Sequence, residues 1–209
     1  MRIIAGTHRG RRYLPPKDDP RNGKITRPIT GRVKQSLFDR LWSMGVLPHE
    51  AGDDDEKPSG GNPGVRVLDL FCGTGSLGLE ALSRGAGHCT FVDMDRDAVG
   101  RLERNLAELD LTDRARIVKA SALNPIWLAQ LKPESLGLIF LDPPYALAED
   151  EQGRSDLARL MSDLTKSASS DCVLVCRTPR HVTPQTADGW TGPTSHSYGS
   201  MTLHFFERE

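Results

Sequence analysis

The chain is short of cysteine and of long apolar runs, and both shortages narrow what it can be. It has four cysteines in 209 residues, Cys72, Cys89, Cys172 and Cys176. None forms a C-x-x-C pair and all lie in or beside apolar segments, so they read as buried free thiols rather than a zinc site or disulfides. The six histidines lack metal-ligand spacing, and no metal is expected. No apolar run approaches the roughly 18 residues of a membrane span. The N-terminus lacks the apolar core of a signal peptide. A cytoplasmic protein with no membrane partner is expected, with monomer as the default. There are no internal repeats. Hydrophobic residues make up 37% and charged residues 26%, enough for one α/β domain with a real core plus an extension.

Net charge is −1, but it is unevenly spread. Residues 1–40 carry eleven Lys/Arg against three Asp/Glu, and the rest carry sixteen against twenty-five. A basic arm on an acidic body points to a polyanionic partner. Residues 1–14 read as a small hairpin, with Ile3 and Ile4 opposite Tyr13 and Leu14. Arg9, Arg11 and Arg12 lie at or near its turn. A polar, proline-rich stretch and Arg27 then lead to a helix over 31–44. Thr30 is its expected N-cap, and Val33, Leu37, Leu41 and Met44 form its apolar stripe. Arg32 and Lys34 lie off that stripe, free to face a ligand. Residues 45–64 break every periodicity with five acids, glycines and prolines, and read as a flexible insertion. The expected organisation is a basic hairpin and helix (1–44), the insertion (45–64) and a catalytic domain (65–209).

From Val65 onward strands and helices alternate. Strands are expected over 65–70, 89–93, 115–119, 137–141 and 171–176, and helices over 76–84, 96–109, 122–131 and 154–166. That is a doubly wound, mostly parallel sheet of Rossmann type. Two weaker strands in 190–206, around Gly199, fit an antiparallel hairpin closing one edge. The centre of the pattern is Val65–Gly78. Val65, Val67, Leu68 and Leu70 give a buried parallel strand. Gly73, Thr74, Gly75 and Gly78 then spell G-x-G-x-x-G between strand and helix, the context that motif requires. It could hold NAD or S-adenosylmethionine, since both bind at the carboxyl ends of parallel strands. Asp69, four residues before Gly73, favours the second: a carboxylate repels a pyrophosphate and suits an ammonium and a sulfonium. Asp93, at the tip of the next strand, can accept from ribose hydroxyls. Phe71 and Met94 are candidates to pack on the cofactor, and Ser121 and Ala122 end the third strand where an adenine edge would lie. Asp95 reads as a helix cap.

The fourth strand runs into Asp142-Pro143-Pro144-Tyr145. Two prolines fix the backbone and remove two N–H donors. Carbonyl oxygens and the Asp142 carboxylate remain, an acceptor cluster suited to an NH2 group, and Tyr145 adds a ring for stacking. Positioning such an amine for in-line attack on a methyl group can supply several kcal/mol without a covalent intermediate. A base in a helix would first have to be flipped out.

These motifs resemble the bacterial guanine-N2 methyltransferases of small-subunit ribosomal RNA, the RsmD-like group. The resemblance is carried by residues 2–16, 27–41, 68–86, 91–99, 105–106, 140–145 and 198–209. It implies the class I methyltransferase fold, S-adenosylmethionine as donor, and a guanine amine of 16S ribosomal RNA or the small ribosomal subunit as acceptor. Asp69, Gly73, Gly75, Asp93 and Met94 would hold cofactor, Asp142 and Tyr145 would meet the base, and Arg27, Arg32 and Lys34 would belong to the arm facing RNA or cofactor. The chain departs from the family pattern at Ile29, Gly31 and Gln35, where Thr, Asp and Glu are usual, and near Cys176-Arg177, where an acid is usual. A protein-glutamine methyltransferase would use a similar turn, but one beginning with Asn, and the basic arm argues against it. Adenine-N6 methylation of DNA is a third reading, without any segment large enough for a target-recognition domain. A fourth is a non-enzymatic RNA-binding module.

Overall fold

The apolar runs after Val65 form one seven-stranded sheet, ordered β3-β2-β1-β4-β5-β7-β6, in a computed structural model that describes residues 1–17, 29–47 and 64–209. The strands are β1 (Arg66–Leu70), β2 (His88–Asp93), β3 (Ala115–Lys119), β4 (Leu136–Leu141), β5 (Ala168–Pro179), β6 (Trp190–Tyr198) and β7 (Met201–Arg208). β1 to β5 pair in parallel, and β5-β7-β6 is antiparallel. The strand order reverses between β1 and β4, and ligands bind in α/β sheets outside the carboxyl ends of the strands at such a point.

The central strands are buried on both faces, and successive residues go to opposite sides. Val67, Phe91, Phe140 and Val175 join a core with α1 (Gly31–Ser43), α2 (Ser76–Ser83), α3 (Arg96–Glu108) and the N-terminal segment. Leu68, Val92, Ile139 and Leu174 join a second core with Trp127, Trp190 and α5 (Glu151–Leu164). The N-terminal extension is therefore part of one face of the sheet. Val46 and Leu47, which composition assigns to the insertion, are buried in that same core. The remainder of the insertion (48–63) lies outside the described residues.

Several elements differ from expectation. The N-terminal hairpin is offset: Ile3 N–H donates to the Arg11 carbonyl and Tyr13 N–H to the Met1 carbonyl, so Ile3 faces Arg11 rather than Tyr13. Over 122–131 only a 3-10 helix forms, Pro125–Gln130; the proline disfavours helical backbone at Asn124, whose extended backbone and side chain instead cap the start, accepting from Ile126 N–H. The helix expected at 154 begins at Glu151, where the Asp150 carboxylate accepts from Gly153 N–H at 2.8 Å. A short helix, α4 (Tyr145–Glu149), precedes it.

One buried carboxylate fastens the extension to the sheet. Glu80, on α2, is fully buried. It accepts from the backbone N–H groups of Ile4 and Ala5, both at 3.0 Å. It also pairs with Lys34 Nζ at 2.9 Å and Arg84 Nε at 3.0 Å. This corrects the reading of Lys34 as an RNA contact: its side chain is 2% exposed, and its ammonium also lies over the Tyr13 ring. Gly6, with φ +80°, lets the chain pass so close to α2 that a Cβ would sit 2.0 Å from the Ser83 carbonyl oxygen. Thr30 caps α1, accepting from Val33 N–H, as its position predicts.

Candidate active site

Strand register assembles the site. Leu70 pairs with both Val92 and Leu141, so Phe71, Asp93 and Asp142 leave the sheet together at its carboxyl edge. Leu141 pairs with Cys176, which sets Arg177 beside Asp142. Side-chain alternation directs Asp69, Asp93, Asp142 and Arg177 to the face that carries the N-terminal extension.

The glycine turn divides its work among its residues. Phe71 (φ 57°), Gly73 (φ 54°) and Gly75 (φ 87°) all take left-handed backbone, which costs an aromatic residue on the order of 1–3 kcal/mol and bends the chain off the strand. A Cβ on Gly73 would meet nothing within 4 Å, so this glycine opens onto free space. A Cβ on Gly78 would lie 2.3 Å from the Phe91 ring, so this one serves close helix–strand packing. The Asp93 carboxylate spans the turn, accepting from Gly73 N–H at 2.7 Å and Asp95 N–H at 2.9 Å. Asp95 caps α3. Met94 stands 71% exposed beside it.

Other sequence candidates are placed differently. The Thr74 side chain is buried, and its carbonyl accepts from Asn105 Nδ2 at 3.1 Å. Ser121 is half-buried, with its carbonyl accepting from Trp127 Nε1 at 3.2 Å, and Ala122 belongs to the second core. The side chains of Thr74 and Ala122 are thus buried, like that of Asp69.

Asp69 is 1% exposed and accepts from Gly78 N–H at 2.9 Å. Burial pushes its carboxyl up to about 8; the Gly78 hydrogen bond opposes this, and the charges of Asp142 and Asp93 add to it. The folded value lies above the unfolded one, so the contribution of Asp69 to stability is fully present below about 4 and lost as pH rises through about 8. A cation bound nearby favours the ionised form. Binding of a cationic cofactor is therefore expected to release a proton between about pH 6 and 8 and to tighten with rising pH. Calorimetry in two buffers of different ionisation enthalpy checks this, and identical heats in both buffers would contradict it.

At the Asp-Pro-Pro-Tyr turn, Asp142 N–H donates to the Leu70 carbonyl at 3.3 Å, locking the turn to β1. The Pro144 carbonyl starts α4, accepting from Leu147 and Ala148 N–H. Pro143 is buried and Pro144 exposed. The Asp142 carboxylate forms a two-pronged pair with Arg177, Nε to Oδ1 at 2.5 Å and Nη2 to Oδ2 at 2.9 Å. Burial lowers the Arg177 pKa, but the charge and hydrogen bonds of Asp142 outweigh it and raise it overall. Tyr145 is half-buried, its ring centroid 5.8 Å from Arg177 Cζ. Its hydroxyl is buried without a partner among the described residues, a costly state unless a bound molecule or water supplies one.

Of the basic candidates, Arg9, Arg11, Arg12 and Arg32 are exposed, and Arg11 reaches the Glu108 carbonyl on α3. Arg27 lies outside the described residues. Sequence reasoning misses three groups: Glu80, Asn105 and the role of Arg177. Asn105 joins arm to turn, holding Leu14 N–H at 2.7 Å and the Leu14 and Thr74 carbonyls. In the sequence Glu80 and Asn105 lie in segments that carry the family resemblance and Arg177 at a departure from it, but none of the three announces the partner it meets.

A glycine turn, an acid at each neighbouring strand tip and a sheet of this order define a class I S-adenosylmethionine-dependent methyltransferase. The residues fit that cofactor: Gly73 leaves the space before the turn open, Asp93 offers ribose acceptors, and Asp69 matches a cationic group. The family described as Conserved hypothetical protein 95 matches residues 1–207, and the chain belongs to that family. YlbH of Bacillus subtilis (strain 168) is 33% identical over 209 residues, covering 100% of this chain and 99% of that protein. The Ribosomal RNA small subunit methyltransferase D of Escherichia coli (strain K12) is 31% identical, covering 100% and 90%. The solved structure of yhhF from Escherichia coli overlays with a TM-score of 0.72 at 27% identity, covering 100% of this chain and 98% of that one. Among the described residues no helix is long and apolar enough to cross a membrane.

Proposed function

We propose that the protein methylates the exocyclic N2 amine of a guanine in 16S ribosomal RNA, acting as a cytoplasmic monomer. The observation that carries the reading is the acceptor-rich Asp142–Pro143 turn set against the glycine turn. The name of the Escherichia coli relative supports ribosomal RNA as the acceptor. Bound S-adenosylmethionine supplies a methyl group on a positively charged sulfur, open to displacement by an amine. The carboxylate of Asp142 and the carbonyl of Pro143 hold the two amine hydrogens and aim the nitrogen lone pair. Tyr145 stacks on the flipped base, and Asp142 is positioned to take the proton the methylated nitrogen loses. The basic arm holds the RNA backbone on the same face.

The direct test is methyl transfer from labelled S-adenosylmethionine to small ribosomal subunits from cells lacking the protein, to naked ribosomal RNA, and to total protein. Label recovered as N2-methylguanosine is expected. Label in protein would favour the glutamine reading, and label in N6-methyladenosine an adenine target. Charge reversal at Arg9, Arg11 and Arg12 is expected to weaken RNA binding and flatten its salt dependence by about 0.7–0.9 log units for each phosphate no longer neutralised. An unchanged slope would remove the arm from the RNA surface.

A further inference from the structure

We propose that Arg177 is a positioning residue for methyl transfer: its guanidinium fixes the plane of the Asp142 carboxylate and seats the Tyr145 ring against it. The inference rests on the proposed role of Asp142 as amine acceptor.

A carboxylate at the end of a strand is free to rotate about its terminal bonds unless something holds both oxygens. Arg177 holds both, at 2.5 and 2.9 Å, and a planar fork fixes orientation as well as distance. The guanidinium is itself enclosed. Arg177 is 3% exposed, lies within the 12-residue β5, and is in register with Leu203 of β7. Its Cζ lies 5.8 Å from the Tyr145 ring centroid, so one rigid group touches both the acceptor and the stacking platform. A carboxylate has about four lone-pair sites. Two are taken by Arg177, and the others remain for the amine, at an angle the arginine sets. The pairing also explains how a buried cation is tolerated at this strand end.

The test measures single-turnover methyl transfer, cofactor Kd, acceptor KM and melting for Arg177→Met, Arg177→Lys, Asp142→Asn and the double variant Asp142→Asn/Arg177→Met. Misplacing a reacting group by about 1 Å can cost on the order of 10²-fold, so Arg177→Met is expected to slow single turnover by roughly that factor. Cofactor Kd should stay within about twofold of wild type, since Arg177 touches Asp142 and Tyr145 and not the groups that hold the glycine turn; acceptor KM should rise by less than the rate falls, since the main loss is of geometry at the reacting centre. Arg177→Lys keeps charge without the fork, and is expected to remain at least about tenfold slow by the same argument; it also serves if the methionine variant does not fold. Because Arg177 acts through Asp142, its substitution in the Asp142→Asn background should cost far less than in wild type. Three results overturn the proposal: Arg177→Met at the wild-type rate, full activity in Arg177→Lys, or additive losses in the double variant. The assay uses whichever acceptor the wild type labels. A wild type that labels protein instead of RNA would thus refute the proposed function and still test Arg177.

Discussion

Asp142→Ala is expected to lower methyl transfer by on the order of 10²–10³-fold, the scale on which a pre-aimed polar group at a reacting centre acts. Affinity for S-adenosylmethionine should change little, because the cofactor turn is held by Asp93, Asn105 and Asp69 rather than by Asp142. The structure adds a complication that the motif alone does not contain. Alanine leaves the Arg177 guanidinium buried with the Asp142 carboxylate gone, and removing one member of a buried ion pair costs up to about 3–5 kcal/mol. The Asp142 side chain is 18% exposed, which places the loss towards the lower end. Asp142→Ala/Arg177→Met should therefore melt higher than Asp142→Ala while remaining as inactive. Regained stability without regained activity separates the two roles. Cofactor affinity falling in step with turnover, in protein shown to be folded, would refute the assignment of Asp142 to the amine.

What is legible in the sequence is what is local. The run from Val65 to Leu70, the glycines at 73, 75 and 78, and Asp-Pro-Pro-Tyr each state their conformation within a few residues, because apolar alternation and backbone freedom are properties of neighbours. The strand-tip acids follow from the same logic, since a parallel sheet brings the ends of adjacent strands together. The illegible part depends on partners far apart in the chain. Asp142 and Arg177 are separated by 35 positions, and Glu80 and Ile4 by 76, and nothing in the spacing of either pair announces that they meet. Lys34 escapes the helical periodicity for a related reason. One apolar stripe on α1 predicts one buried face, but the helix is covered both by the sheet and by the arm, so the residue next to Val33 is enclosed as well. Thr74 shows the limit of a motif: the turn needs its backbone, and its side chain goes inward to the core.

The second large effect is on stability and arises from the arm. Glu80→Ala removes at once the partner of Lys34, a partner of Arg84 and the acceptor of two backbone N–H groups. Lys34 and Arg84 are both buried, so their charges cannot simply return to water. Breaking a buried pair in this way costs about 3–5 kcal/mol, a fifth or more of the roughly 5–15 kcal/mol that holds a typical domain together. The midpoint of urea unfolding should fall accordingly. Glu80→Ala/Lys34→Met should recover part of the loss, because one stranded cation is gone. The damage should also be local in its first stage. Ile4 and Ala5 lose their acceptor, so the segment carrying Arg9, Arg11 and Arg12 should open before the sheet unfolds, and trypsin should cut there faster than in wild type under native conditions. Tyr13 Oη lies 2.9 Å from Ser76 Oγ at the start of α2, and Asn105 ties Leu14 to the Thr74 carbonyl. Loosening the arm should therefore reach the glycine turn and weaken S-adenosylmethionine binding, although Glu80 itself lies in the core. A midpoint within the equivalent of about 1 kcal/mol of wild type, the worth of an exposed pair, with unchanged proteolysis at Arg9–Arg12, would mean that Glu80 does not hold the arm in place.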